Sequence, residues 1–223
     1  MTGNTLKLHA WGPYGLFTRP EMKTERVSYD VLTPSAARGI LEAIHWRPSI
    51  RWVVDRIRVL RPIRFETLRR NEIGSVIATR TVRAAMNRGT TDGLRVLVED
   101  VRQQRAAILL RDVGYVIEAH LALTGTSSTD TTAKHEHMFR RRAAKGQCFH
   151  RPYLGTREFA ADFTLADGGE HPDLPDDQKD RDLGWMLHDF DYRSEPPAPR
   201  FFRALMRDGV IDVPAPDAPE VRG

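Results

Sequence analysis

The chain has 223 residues, 40% of them apolar, which is enough for a sizeable core in one or two compact domains. Its 34 Lys and Arg against 30 Asp and Glu leave a net charge of +4, a mild excess that points to an anionic partner; 29 of the 34 are Arg, whose planar fork suits phosphate and guanine edges. The single cysteine, Cys148, excludes an internal disulfide and a thiolate zinc cluster, and no signal-peptide core or membrane-length apolar run is present, so a cytoplasmic protein with no membrane partner is expected.

Leu6 to Trp11 alternates as a short strand that should end at the turn signal Gly12-Pro13. An irregular arm follows, with Arg19, Lys23 and Arg26 among Tyr14, Phe17 and Tyr29, the mixture of cations and aromatics that a single-stranded nucleic acid needs. Thr33-Pro34 opens a helix whose apolar stripe is Ala37, Ile40, Leu41 and Ile44, and Pro48 forces an end just beyond. His45, Trp46 and Arg47 lie at that end. His45 is either a dipole-stabilised cap or a titratable group facing a cleft.

Arg51 to Arg61 alternates as a strand, with Val53, Ile57 and Val59 on one side, and Pro62 stops it. From about 63 to 110 the period is lost. This stretch is expected to be an inserted long hairpin or loop, and its arginines, Arg69 and Arg70 among them, make it a candidate RNA-contacting arm. Tyr115 to Leu123 returns to clear alternation.

After the loop Gly125 to Asp130, Thr131 or Thr132 caps a second helix with Lys134 and His135 in its first turn. Two cations at the positive end of a helix gain nothing from the dipole, so the placement suggests a bound anion. His135, Met138, Phe139 and Arg142 recur at helical spacing on the inward face. Arg140, Arg141 and Lys145 load the last turns, and Gly146 ends the helix. Cys148 to Leu165, which carries Arg157, is expected to supply a strand region broken by Pro152 and Gly155.

The order strand, helix, strand, insertion, strand, helix, strand is that of an α+β, ferredoxin-like domain of the kind used by RNA-recognition modules, here over residues 1–165. Residues 166–223 are expected to form an acidic linker and a small C-terminal β subdomain: a strand at Leu183 to Tyr192, a short helix at Pro199 to Asp208 and a last strand at Val210 to Val213.

Several of these stretches also carry a resemblance. WGPYGLFTRPEMKTERVSYDVLTPSAARGILEAIHWRPSIRW, RRNEIGS, AKHEHMFRRRAAKGQ, YLGTREF and DLGWMLHDFDY resemble the d-type (DvulG subtype) branch of the Cas-five family of CRISPR-associated proteins, type I-C, in the RAMP superfamily. The resemblance covers nearly the whole chain. It implies a ferredoxin-like domain with a long inserted hairpin and a small C-terminal β domain. It also implies an endoribonuclease that cuts the repeat of CRISPR precursor RNA without a metal or other cofactor and then retains the 5′ handle of the mature guide RNA. The implied partners are the backbone and large subunits of the type I-C Cascade complex, with target DNA as a further one.

The catalytic trio carried over by the resemblance falls on Lys134, His135 and, where relatives have Tyr, His45. Two imidazoles and an ammonium suit a 2′-hydroxyl attack, which needs a base, an acid and a cation for the phosphorane. The positions expected to contact RNA are Arg19, Lys23, Arg26, Trp46, Arg47, Arg69, Arg70, Arg140, Arg141, Lys145 and Arg157. His135 and His137 lie two apart on a helix and point in different directions, which disfavours a metal site. The competing reading is a subunit that holds the guide's 5′ handle without cutting.

Overall fold

The computed structural model describes residues 5–22, 24–127 and 129–223. In chain order the elements are β1 (Leu6–Gly15), β2 (Arg26–Val27), α1 (Pro34–Ile44), β3 (Ile50–Val59), β4 (Phe65–Ile73), α2 (Thr79–Arg88), α3 (Val98–Val101), β5 (Arg102–Leu123), α4 (Thr132–Ala144), β6 (Asp162–Leu165), α5 (Asp176–Lys179), β7 (Arg181–Asp191), β8 (Ala198–Arg207) and β9 (Val210–Asp212). The fold is mixed α and β, built on one large sheet in the order β6-β1-β5-β3-β9-β8-β7, with β2 and β4 added to β5. The registered pairs along that order are antiparallel. No helix among the described residues is long and apolar enough to cross a membrane.

Residues 67–107 form one compact unit and the rest of the described chain another. The smaller unit holds most of β4, α2, α3 and the start of β5, tied by Gly74 N–H to the Val101 carbonyl (2.8 Å) and by Arg105 to Glu72 (3.6 Å). β9 pairs with β3 through Arg56 to Arg58, so β7, β8 and β9 extend the sheet that begins at β6.

The core lies where α1 and α4 cover this sheet. Thr33 Oγ1 accepts from Ala36 N–H and Pro34 follows as the first helical residue, so α1 starts where its sequence says it should. It buries Ala37, Ile40, Leu41, Ala43 and Ile44 against β3 and β7. Full burial of each Ile or Leu stabilises by about 1.5–3 kcal/mol. α4 buries His135, Phe139 and Ala143, and Phe139 meets the Trp52 ring edge-on at 4.7 Å.

Four local expectations are corrected. β1 runs through Gly12-Pro13 to Gly15: β6 pairs only with Leu8 to Trp11, so Pro13 sits where β1 has become an edge and its missing N–H costs nothing. A bulge at Asp55 shifts the register of β3, so Trp52 and Val54 point inward before it and Ile57 and Val59 after it, and Val53 faces the other way. Only Asp162–Leu165 of the 148–165 stretch is a strand. Gly155, at φ +89, lets the preceding loop fold so closely that a Cβ there would stand 2.0 Å from the Leu16 carbonyl oxygen. Pro199 to Asp208 is not a helix: β8 alternates, burying Phe202, Ala204 and Met206.

Candidate active site

The site forms where the end of α1 meets the start of α4. His45 is the C-cap of α1: its N–H still bonds to the Leu41 carbonyl (3.0 Å), but its backbone is extended, and the Trp52 indole N–H holds its carbonyl at 2.8 Å. That turn points the imidazole into the protein, where it is fully buried. Thr131 caps α4 by accepting from Lys134 N–H, which places His135 on the buried stripe, 2% exposed. The two rings meet, with His45 Nε2 3.0 Å from His135 Nδ1.

The sequence expectation of a bound anion at this helix start takes a different form. Asp130, just before the cap, supplies the negative charge: Lys134 Nζ donates to its Oδ1 (2.6 Å) and Ser49 Oγ to its Oδ2 (2.5 Å). His135 Nε2 lies 3.2 Å from the same Oδ2, an ion-pair distance but off the line of a well-formed hydrogen bond. Lys134, Asp130, His135 and His45 therefore form one continuous polar chain from an exposed ammonium to a buried ring. The Lys134 hydrogen bond, followed by that of Ser49, holds the Asp130 carboxyl well below the usual carboxylate range, so it is ionised.

His45 is pushed down from 6.5 to about 4, chiefly because burial strips water from its cation, with repulsion from Arg142, His135 and Arg47 adding to it. It is neutral at neutral pH. Its Nδ1 is buried and has no hydrogen-bond partner. Among the described residues no group of three or more His, Cys, Asp or Glu side chains converges as metal ligands would.

The Cas5d family model, described as CRISPR-associated protein (Cas_Cas5), matches residues 5–214. The chain belongs to the Cas5d family. It is 55% identical over 223 residues to the CRISPR pre-crRNA endoribonuclease Cas5d of Mannheimia succiniciproducens, spanning 98% of this chain and 99% of that one. It is 42% identical over 228 residues to the protein of the same name from Thermus thermophilus, spanning 94% and 91%. A crystal structure of a CRISPR-associated protein has the same fold, with a TM-score of 0.70 at 23% identity over 100% of this chain and 98% of that one.

Within this Cas5d-family chain the residues expected to touch RNA are spread over several elements. Trp46 (51% exposed) and Arg47 are exposed immediately after His45, and Arg140, Arg141 and Lys145 are exposed along α4 and its C-cap. Arg157 is exposed in the loop before β6. Arg19 is engaged by Asp30 (3.4 Å) and lies over the Tyr29 ring at 4.5 Å, and Arg26 is half-buried in β2. Arg69 and Arg70 lie on β4 in the smaller unit, and Lys23 falls outside the described residues.

Sequence reasoning missed Asp130 and Ser49. The signal for Asp130 was its spacing, four residues before Lys134 and five before His135, in a loop whose composition otherwise looked featureless. Arg142, on the inward face of α4, has a role its spacing does not show: its guanidinium donates to the Ile44 carbonyl (2.9 Å) and so fixes α4 against the end of α1.

Proposed function

We propose that this chain is a pre-crRNA endoribonuclease that cuts a CRISPR repeat without a metal and then keeps the 5′ handle of the guide RNA as a Cascade subunit in the cytoplasm. The 55% and 42% identical relatives named for that activity support the reaction class. The observation that carries the mechanism is the contact between His45 and His135, with Lys134 joined to them through Asp130.

In this mechanism the 2′-hydroxyl loses its proton to one imidazole while its oxygen bonds to the adjacent phosphorus. The bond from phosphorus to the 5′-oxygen breaks, and the other imidazole returns a proton to that leaving oxygen. The products are a 2′,3′-cyclic phosphate and a 5′-hydroxyl. His45, held neutral by burial, is assigned the role of base, which leaves the role of acid to His135, 3.2 Å from the Asp130 carboxylate. Lys134, the exposed member, balances charge developing on the phosphorane.

We also infer a ferredoxin-like core for the larger unit. The reading is supported by the sheet order β6-β1-β5-β3, in which α1 links β1 to β3 across β5 and α4 links β5 to β6 across β1.

A second reading has its own observation, the burial of both imidazoles. In that reading the pair is a core hydrogen bond that ties α4 to α1, and the chain binds the 5′ handle without cutting. A repeat RNA with a single 2′-deoxy nucleotide before the scissile phosphate separates the two. The nuclease cuts the all-ribose RNA and only binds the substituted one, whereas a pure binding subunit leaves both intact.

A further inference from the structure

We propose that Phe149 is a stacking platform for one unpaired base of the RNA, held beside the histidine pair; this rests on the RNA-processing reading above. Phe149 is 86% exposed, the most exposed aromatic among the described residues. An apolar ring left in water on a loose loop would mean little, but this one stands on fixed backbone. Gly146, at φ +62, closes α4 by donating to the Ala143 carbonyl (3.2 Å), and Gln147 N–H donates to the Arg142 carbonyl (2.9 Å). Phe149 N–H then donates to the Ala43 carbonyl at 2.8 Å, with His150 N–H at 3.4 Å from the same oxygen. Ala43 is in the last turn of α1, two residues before His45.

The surroundings fit a nucleotide. A shallow open cavity of about 600 Å³ is lined by Phe149 with Arg142, Gly146, Gln147 and Cys148. The His150 ring meets that of Phe149 edge-on at 6.0 Å and lies nearly parallel to Tyr153 at 6.4 Å, so two more aromatic rings neighbour the first. Residues 137–157 carry six Lys or Arg and no Asp or Glu. Arg151 is already engaged by Asp162, while Arg140, Arg141, Lys145 and Arg157 are exposed. An exposed aromatic face set in a cationic, otherwise polar surface is what a single-stranded nucleic acid uses: cations hold the phosphates and the ring takes a base without regard to its identity. A protein partner would want a contiguous apolar patch, and the cavity supplies only one apolar ring.

The test uses the full chain and a repeat RNA in which 2-aminopurine replaces one unpaired nucleotide at a time. Wild type and Phe149→Trp should quench the fluorophore at one position. Phe149→Ala and Phe149→Leu should lose that quenching and weaken binding about 5- to 150-fold, the range expected for losing one stacked base. Equal affinity and equal quenching in all four proteins would overturn the platform alone. So would full affinity in Phe149→Leu with loss only in Phe149→Ala, which would mark a generic apolar contact. Failure of the wild type to bind the RNA at all would overturn both this inference and the RNA-processing reading.

Discussion

The Nε2 of His45 and the Nδ1 of His135 stand 3.0 Å apart although 90 residues separate them in the chain. The contact exists because α1 ends by turning His45 inward and α4 begins by setting His135 on its buried stripe. Everything the site can do with a proton depends on that pair and on the carboxylate behind it.

His45 should make stability depend on pH. Its folded-state value of about 4 lies below the ordinary 6.5, so between those values the unfolded chain binds the extra proton. Stability is full above about pH 6.5 and is lost as pH falls through about 4, on the order of 3 kcal/mol for a shift of this size. The Asp130 contribution is lost in the same direction but only below the ordinary 3.8. Urea unfolding at pH 7, 6, 5 and 4.5 should show a shallower decline in His45→Gln than in wild type. Parallel declines would contradict the buried neutral ring.

Asp130 lies 2.6 Å from Lys134 Nζ and 3.2 Å from His135 Nε2, a placement that suits a positioning residue. Asp130→Asn keeps the shape and removes the charge. Single-turnover cleavage should slow, by less than the roughly hundred- to ten-thousandfold expected for losing a proton-transfer group outright, while the RNA dissociation constant stays within a few fold. A change confined to binding would show that the carboxylate serves the surface and leaves the chemistry untouched.

The seat of α4 is a packing matter. Phe139 is 0% exposed and meets Trp52 edge-on, so Phe139→Ala should cost about 3–5 kcal/mol, read by denaturant unfolding. The same change at Met138, half-exposed on the neighbouring face, should cost much less.

Replacing Gly155 meets two obstacles at once, a φ of +89 and a backbone oxygen where the Cβ would stand. Gly155→Ala should destabilise by at least about 1–3 kcal/mol and loosen the Leu16 N–H to Leu154 carbonyl bond, seen as faster amide exchange at Leu16.

Much of this was legible in the residues. α1 and α4 announced themselves by cap, stripe and stop, and the second half of β5 by alternation over Tyr115 to Leu123, although Leu123 is exposed and the strand starts earlier, at Arg102. The misreadings have local causes. In β8, Phe201 and Leu205 on the outer face add apolar residues between the buried Phe202, Ala204 and Met206, so a period of two looks like a turn of helix. In β3, one bulged residue, Asp55, reverses the inward parity midway, which no fixed period can follow. His45 and His135 were legible as residue types at helix ends. Their contact was not, because it depends on how two helices cross, and Asp130 was hidden in a polar loop whose partner residues fold back onto it.

The most direct test is cleavage of a cognate repeat RNA in excess EDTA by wild type, His45→Gln and His135→Gln, with product ends and RNA binding measured in parallel. Wild type should cut and leave a 2′,3′-cyclic phosphate and a 5′-hydroxyl. Each substitution should slow the cut by about a hundred- to ten-thousandfold while binding persists. Cutting that requires added metal, 3′-hydroxyl and 5′-phosphate ends, or undiminished rates in both variants would contradict the proposed mechanism.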